Sequence, residues 1–304
     1  MKKTSLSLTL TLGAMLPLGL SAAISGPYGV DTNTVQLWSF DEAAGTSSVA
    51  NDVAGGYDLL TADIGDQSHT AITTLTGGSG FSGFGNAIDL TEGGGSAGVI
   101  YAPSQNAKLF PADLGIGDAF TLEAMVNISS ITSGQQEIIS MEDDASNRFF
   151  QFVISSGGNL DFTPINGPSV TGGSFAIPDS GEADAFAADE WFHVAVTYSG
   201  VGGAADNLNF YWTRVDGSRT EANLIGSGSL TGDLGANNSR FVVGNEGRDA
   251  GNEKLGGLID EVRISDIARG ADDMMFAVPE PSTFALFAGV AALGLLILRR
   301  RRKR

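Results

Sequence analysis

No cysteine occurs anywhere in the 304 residues. That excludes a disulfide framework and a thiolate metal cluster. Histidine is nearly absent too: His69 and His193 are the only two, too few for a three-histidine zinc site within one chain. Basic side chains are scarce, with 17 Lys and Arg against 35 Asp and Glu and a formal net charge of −18. Two of the 17 are Lys2 and Lys3 and six close the chain, so nine remain for everything between. Such an acidic surface repels nucleic acid phosphates, and nucleic acid is excluded as a partner. It is compatible with calcium and with neutral or cationic polymers. Catalytic signatures are missing as well. There is no Glu-x-Asp-x-(x)-Glu strand, whose alternation would aim two carboxylates into one cleft about 5–5.5 Å apart. No Gly-x-Ser-x-Gly elbow occurs, and the glycine runs Gly77-Gly78-Ser79-Gly80 and Gly93-Gly94-Gly95 lack the Lys-Ser/Thr ending of a phosphate loop. No catalytic residue is therefore named.

Glycine is abundant, at 42 residues spread through the chain, which suits many short strands and tight turns. Both ends are legible. Lys2-Lys3, an apolar run from Leu6 to Leu20, and Ser21-Ala22-Ala23 have the layout of a secretory signal peptide over residues 1–23. At the other end, Val278-Pro279-Glu280-Pro281-Ser282 precedes an apolar segment, Phe284 to Leu298, and the basic cluster Arg299 to Arg304. A basic cluster behind an apolar segment stays on the cytoplasmic side of a membrane. This three-part order resembles the PEP-CTERM sorting tail of Gram-negative bacteria. The resemblance implies transient anchoring in the inner membrane, cleavage near Pro279, Glu280 and Pro281 by an exosortase, and release to the cell surface or extracellular matrix.

Between the ends, strands dominate the pattern. Phe120, Leu122, Ala124, Val126 and Ile128 form the clearest period-two run. Phe192, Val194, Val196 and Tyr198 form another, with His193 on the opposite face as a structural strand residue. Ala87–Leu90 and Val99–Tyr101 read as a strand pair joined through the glycine run between them. Residues 155–190 read mainly as an extended loop. Glu142 to Asn147 reads as a solvated acidic hairpin tip with a cation as the alternative, and Asn245 to Glu253 as a polar loop before the last strand. In that last strand, Leu258, Asp260, Val262 and Ile264 share one face by alternation and Ile259, Glu261 and Arg263 the other. Asp260 and Glu261 thus point to opposite faces. A carboxylate among aliphatic residues needs a partner, either backbone N–H groups or a cation.

Five segments, in this order, carry a second resemblance. They are Leu37-Trp38-Ser39-Phe40-Asp41-Glu42, Gly83-Phe84-Gly85-Asn86-Ala87-Ile88-Asp89-Leu90, Ala119 to Val126, Trp191 to Tyr198, and Gly257-Leu258-Ile259-Asp260-Glu261-Val262-Arg263-Ile264. Together they resemble the laminin G-like, concanavalin A-like jelly-roll domains. The resemblance implies an all-β fold, an antiparallel β-sandwich over residues 34–275. It is preceded by a lead-in over 24–33 and followed by a linker over 276–283, a hydrophobic transmembrane helix over 284–298 and a basic cytoplasmic cluster over 299–304. In some relatives a cation lies near the closing strand, which implies a structural Ca2+ at Asp41, Asp52 and Asp260. Calcium takes six to eight oxygen ligands, so carbonyls would have to contribute. Relatives often carry a tryptophan where Met125 stands, which removes one aromatic for stacking a sugar. The fold hosts lectins, adhesion modules and polysaccharide-cleaving enzymes, so fold alone does not settle function. The leading expectation is a non-catalytic protein that binds or adheres to extracellular polysaccharide. Asn245, Arg248, Asp249 and Asn252 are the candidate ligand contacts, and Tyr211 or Trp212 the aromatic platform. The alternative is a structural matrix protein without a specific glycan, and a glycoside hydrolase or lyase ranks behind both.

Overall fold

The computed structural model describes residues 27–43, 45–46, 48–61, 75–76, 81, 83–91, 100–102, 107–143, 147–216, 218–248 and 253–274. The expected signal peptide over 1–23, His69, both glycine runs, Asp249, Asn252, Pro279 to Pro281 and the apolar and basic segments over 284–304 lie outside the described residues. Strands follow one another as β1 Thr34–Trp38, β2 Ser48–Val49, β3 Leu59–Thr61, β4 Leu75–Thr76, β5 Ala87–Asp89 and β6 Ile100–Ala102. A short 3₁₀ turn, Pro111–Leu114, leads into β7 Ala119–Ile128, β8 Gln136–Glu142, β9 Arg148–Ile154, β10 Asn159–Pro164, β11 Val170–Thr171 and β12 Ser174–Ala176. The chain closes with β13 Trp191–Ser199, β14 Leu208–Arg214, β15 Leu224–Leu230, β16 Phe241–Val243 and β17 Gly257–Ser265. No α-helix occurs among the described residues.

Two antiparallel sheets result. The first runs β11-β15-β14-β13-β7-β17-β5-β4, with β1 also on β17, and the second runs β12-β10-β9-β8-β16-β6-β3-β2. The alternating run of β7 pairs residue for residue with β13, from Ala119↔Ser199 to Asn127↔Trp191. Its apolar set therefore faces inward together with Phe192, Val194, Val196 and Tyr198. Rings from the two sheets meet across the core: Phe120 and Phe162 lie 5.8 Å apart, Phe175 and Phe210 5.1 Å, and Trp38 and Phe241 5.6 Å. Each fully buried Phe, Leu or Ile contributes about 1.5–3 kcal/mol, so this layer is what stacks the sheets. A second apolar cluster lies on the outside of the first sheet. Tyr28, Leu37, Phe84, Met125, Trp191, Tyr211 and Met274 belong to it, so the segments at both ends of the domain are drawn across that face.

Several expectations are corrected. Ala87–Asp89 and Ile100–Ala102 are not a strand pair: the former joins β17 and the latter joins β16 and β3, in different sheets. Within residues 155–190, Leu160 to Phe162 form a strand as the sequence suggests, inside β10, but β11 and β12 add two short strands where an extended loop is expected. β15 shows little alternation because Gly226 and Gly228 interrupt it. A Cβ at Gly226 would enter the Phe175 ring and one at Gly228 would strike the Gly172 carbonyl. Finally, β17 does not alternate throughout. Asp260 pairs with Met125 and Arg263 with Glu123, which leaves one extra residue on β17. This is a β-bulge, with Glu261 at φ 50°. Ile259, Val262 and Ile264 consequently face the core. The faces assigned by strict alternation hold on one side of the bulge only.

Candidate functional site

Each outer sheet face carries a buried network of charged side chains. On the first sheet it starts from Glu123 in β7. Arg263 Nε donates to Glu123 Oε1 at 2.6 Å, and His193 Nε2 lies 3.1 Å from Glu123 Oε2. Burial pushes the Glu123 carboxyl up, but Arg263 and His193 outweigh it and hold the pKa at about 2. The Tyr28 ring lies 4.6 Å from the Arg263 guanidinium carbon, a cation–π contact. The Tyr28 N–H donates to Glu261 Oε2 at 2.9 Å. Arg269 ties the far end down, with both terminal nitrogens donating to Asp31 at 2.8 Å and Nε to Ser265 Oγ at 2.7 Å. His193 is thus a structural residue, fully buried against Glu123.

Beside this network lie the carboxylates expected to hold calcium. The Glu261 N–H donates to Asp260 Oδ1 at 2.8 Å. Both side chains are fully buried, and Asp260 Oδ2 and Glu261 Oε1 have no hydrogen-bond partner. Burial raises Asp260 to about 9, reinforced by Glu261 and Asp41. Burial likewise raises Glu261 to about 8, reinforced by Asp41 and Asp52. Ile259 and Val262 both face the core, so the bulge sends Asp260 and Glu261 to the same outer face, which corrects the expectation that they point apart. Glu261 joins the candidate set by virtue of the bulge, a feature that alternation does not reveal. Asp41 and Asp52 are exposed, and Asp41 Oδ1 accepts the Asn86 N–H at 2.9 Å. Two such oxygens are ligands of the type calcium takes, but among the described residues no group of three or more His, Asp or Glu side chains is placed to hold a metal ion.

On the second sheet, acids outnumber bases. Glu137 is fully buried. It accepts from Gln151, whose Nε2 also donates to Glu253 Oε2 at 3.2 Å. Burial, Glu142 and Glu253 all push the Glu137 carboxyl well up, favouring its neutral form. Arg148 Nε donates to Glu142 Oε2 at 2.8 Å. Arg248 reaches Glu142 at 2.8 Å, Glu246 at 2.5 Å and Glu253 at 3.1 Å. Lys108 pairs with Asp143, and Arg240 Nη1 donates to the carbonyls of Asp143 and Gly247 at 3.2 Å each.

Among the described residues, the expected glycan contacts Asn245, Arg248, Tyr211 and Trp212 do not assemble into one open surface. Asn245 is fully buried and Arg248 is committed to three carboxylates. Asn245 to Arg248 are therefore a clamp on the second sheet rather than part of an exposed loop. Glu142 and Asp143 are likewise buried and paired, not the solvated hairpin tip that the acidic run suggests. Trp212 is in the core, stacked on Phe192 at 4.6 Å, with its indole N–H donating to the Asp184 carbonyl at 3.1 Å. It has no exposed face to offer a sugar. Tyr211, on the outside of the first sheet, is 6% exposed and packed in the second apolar cluster. It too lacks an open face. Sequence reasoning missed Phe110, which is 48% exposed. It sits between the isolated bridge at Leu109 and the 3₁₀ turn, outside any alternating run.

A profile of the concanavalin A-like lectin/glucanases superfamily matches residues 97–274, and one of the PEP-CTERM protein-sorting motif matches residues 277–302. The sorting motif implies export, processing by an exosortase and sorting to the cell envelope of a Gram-negative bacterium. No curated protein matches the chain. Among solved structures, the chain is similar to the binding domain of Paraclostridial Mosquitocidal Protein 1, at 14% identity and TM-score 0.48, over 80% of this chain and 52% of that one. A Trypanosoma rangeli sialidase gives 14% identity and TM-score 0.45 over 81% and 32%. A putative carbohydrate binding protein from Bacteroides ovatus gives 19% and 0.35 over 56% and 43%. The chain thus spans between about a third and a half of the length of these structures.

Proposed function

Since the chain belongs to the concanavalin A-like lectin/glucanases superfamily and ends in a PEP-CTERM sorting motif, we propose that its processed form binds extracellular polysaccharide at the cell surface without cleaving it. The observation that carries the non-catalytic part is the state of the sheet carboxylates. A glycosidase needs one carboxyl as acid and a second as base or nucleophile, both within reach of the bond to be broken. Glu137 and Glu142 are fully buried, with Gln151 on the first and Arg148 and Arg248 on the second. Neither offers a substrate an oxygen. Export supports the extracellular partner, and the superfamily supports a glycan.

The experiment is co-sedimentation of the processed protein with exopolysaccharide from the producing strain, with reducing ends measured in the same tube. Binding without new reducing ends is expected. New reducing ends would restore the enzyme, and absence of binding would leave the structural-matrix reading. Calcium at Asp41, Asp52 and Asp260 is part of the proposal as a structural ion, with Glu261 added as a fourth carboxylate. Its support is the pair of buried oxygens without partners.

A further inference from the structure

With Tyr211 and Trp212 buried, a polysaccharide needs another platform. Two adjoining recesses of about 410 Å3 and about 310 Å3 lie at the end of the sandwich where β7 begins. They share Ala112, Gly117 and Asp118, the first reaching Asp266 and the second Asp233 and Phe110. Phe110 is the one exposed large aromatic among the described residues. Its backbone is fixed on both sides. Leu109 exchanges hydrogen bonds with Ser239 at 3.0 and 3.2 Å, and the Phe110 N–H donates to Asp113 Oδ2 at 2.9 Å. An open ring on a fixed backbone, beside a recess, suits stacking on the apolar face of a sugar.

Gly117 keeps the shared floor open. A Cβ there meets nothing within 4 Å, and its φ is not left-handed. Neighbouring Gly115 differs: its φ is 77°, and a Cβ would strike Val35 at 2.6 Å. The fold requires the glycine at 115 but makes no such demand at 117.

Charge then selects the ligand. Asp118, Asp233 and Asp266 are exposed along the groove, and no Lys or Arg lines it. Nor is a cation to spare nearby. All nine Lys and Arg between residues 24 and 278 are described. Arg148, Arg214, Arg219, Arg248, Arg263, Arg269 and Lys108 are in ion pairs, Arg240 is bound to carbonyls, and Lys254 faces Asp89. An acidic polysaccharide would meet only repulsion here. Resting on the polysaccharide-binding reading above, we infer that the Phe110–Gly117–Asp118 groove is the glycan site and that it takes a cationic amino-sugar chain. The sugar ring stacks on Phe110 and its ammonium groups face Asp118 and Asp233. Exposed charge pairs are each worth about 1 kcal/mol and are screened by salt, so a single site is weak, and many copies on a surface raise the avidity.

The test uses processed protein purified from cells producing the full chain. It is titrated with a deacetylated hexosamine oligomer, its N-acetylated counterpart and a uronate oligomer. The deacetylated oligomer should bind at least about tenfold tighter than either of the others, a difference of about 1.4 kcal/mol. Phe110→Ala and Gly117→Phe should each weaken that binding about tenfold or more, with the melting temperature unchanged. Asp118→Asn should weaken it several-fold and flatten its salt dependence. Phe110 is exposed, so Phe110→Ala tests the site even if Gly117→Phe folds poorly. Wild-type binding that survives both substitutions would move the glycan elsewhere and overturn this site, while leaving polysaccharide binding intact. Tighter binding of the acetylated or uronate oligomer would overturn the ligand class. Failure of the unaltered protein to bind either these oligomers or the producer's exopolysaccharide would remove the functional reading itself.

Discussion

Glu123 and Glu137 are the same residue type, both fully buried, on the outer faces of opposite sheets, yet their protonation is driven in opposite directions. Glu123 has Arg263 and His193 against it and stays ionised, with a pKa of about 2. Glu137 has a glutamine and two further glutamates and is pushed toward the neutral acid. Burial is equal, so the partners decide. In a protein with so few cations, where those cations are placed determines which carboxylates remain charged. Around Glu123 the charge is balanced under a strap formed by both ends of the domain. Around Glu137 acid is in surplus, and part of it is held as neutral carboxyl.

The largest way to break this contrast is to remove the cation. Arg263→Ala leaves Glu123 buried without its main partner and should cost about 3–5 kcal/mol, read as a lower urea midpoint at unchanged slope. The Tyr28 strap loses its cation–π partner in the same variant, so proteolysis ahead of residue 34 should accelerate. A cost under about 1 kcal/mol would mean that Glu123 takes up a proton instead.

The second test sharpens the contrast through pH. Asp260 and Glu261 hold protons more tightly folded, at about 9 and 8, than their ordinary values of 3.8 and 4.5. The folded state therefore binds more protons across that window, and stability falls as pH rises through it. Glu123 runs the other way. Its contribution is present above 4.5 and is lost only as pH falls through about 2. Stability should thus be higher at about pH 5 than at about pH 9, by more than the roughly 1.4 kcal/mol of a tenfold change in proton affinity. Calcium bound to the ionised pair would reverse the alkaline loss, so added calcium should raise the melting temperature more at about pH 9 than at about pH 5. No response to calcium or chelator at either pH would remove the metal from Asp41, Asp52 and Asp260.

The smallest expected effect is at the other glutamate. Glu137→Gln replaces a neutral acid by a neutral amide of nearly the same shape and should change stability by less than about 1 kcal/mol at neutral pH. Glu123→Gln, by contrast, leaves Arg263 unmatched and should cost several times as much. Equal costs for the two substitutions would erase the distinction between the faces.

Much of the fold was legible because burial imposes a period. β7 and β13 are buried on both faces, and their inward sets still alternate cleanly enough to read. β15 was not legible, because its glycines answer to Phe175 and Gly172, far away in sequence. The site was less legible still. Asn245 and Arg248 are polar and lie in a polar run, which suggests exposure, but Asn245 is fully buried, with Ser140 Oγ donating to its carbonyl at 3.1 Å, and Arg248 is held by Glu142, Glu246 and Glu253.

The sequence by itself determined the C-terminal sorting motif, the all-β class and the acidity. Those depend on composition, on short contiguous motifs and on local alternation. Only the tertiary structure decided which way Asp260 and Glu261 point, because one extra residue opposite Met125 and Glu123 turns the closing strand. It also decided that the aromatic left open to solvent is Phe110 rather than Trp212. Exposure is set by what packs against a ring from the other sheet, and no single stretch of the chain contains that information.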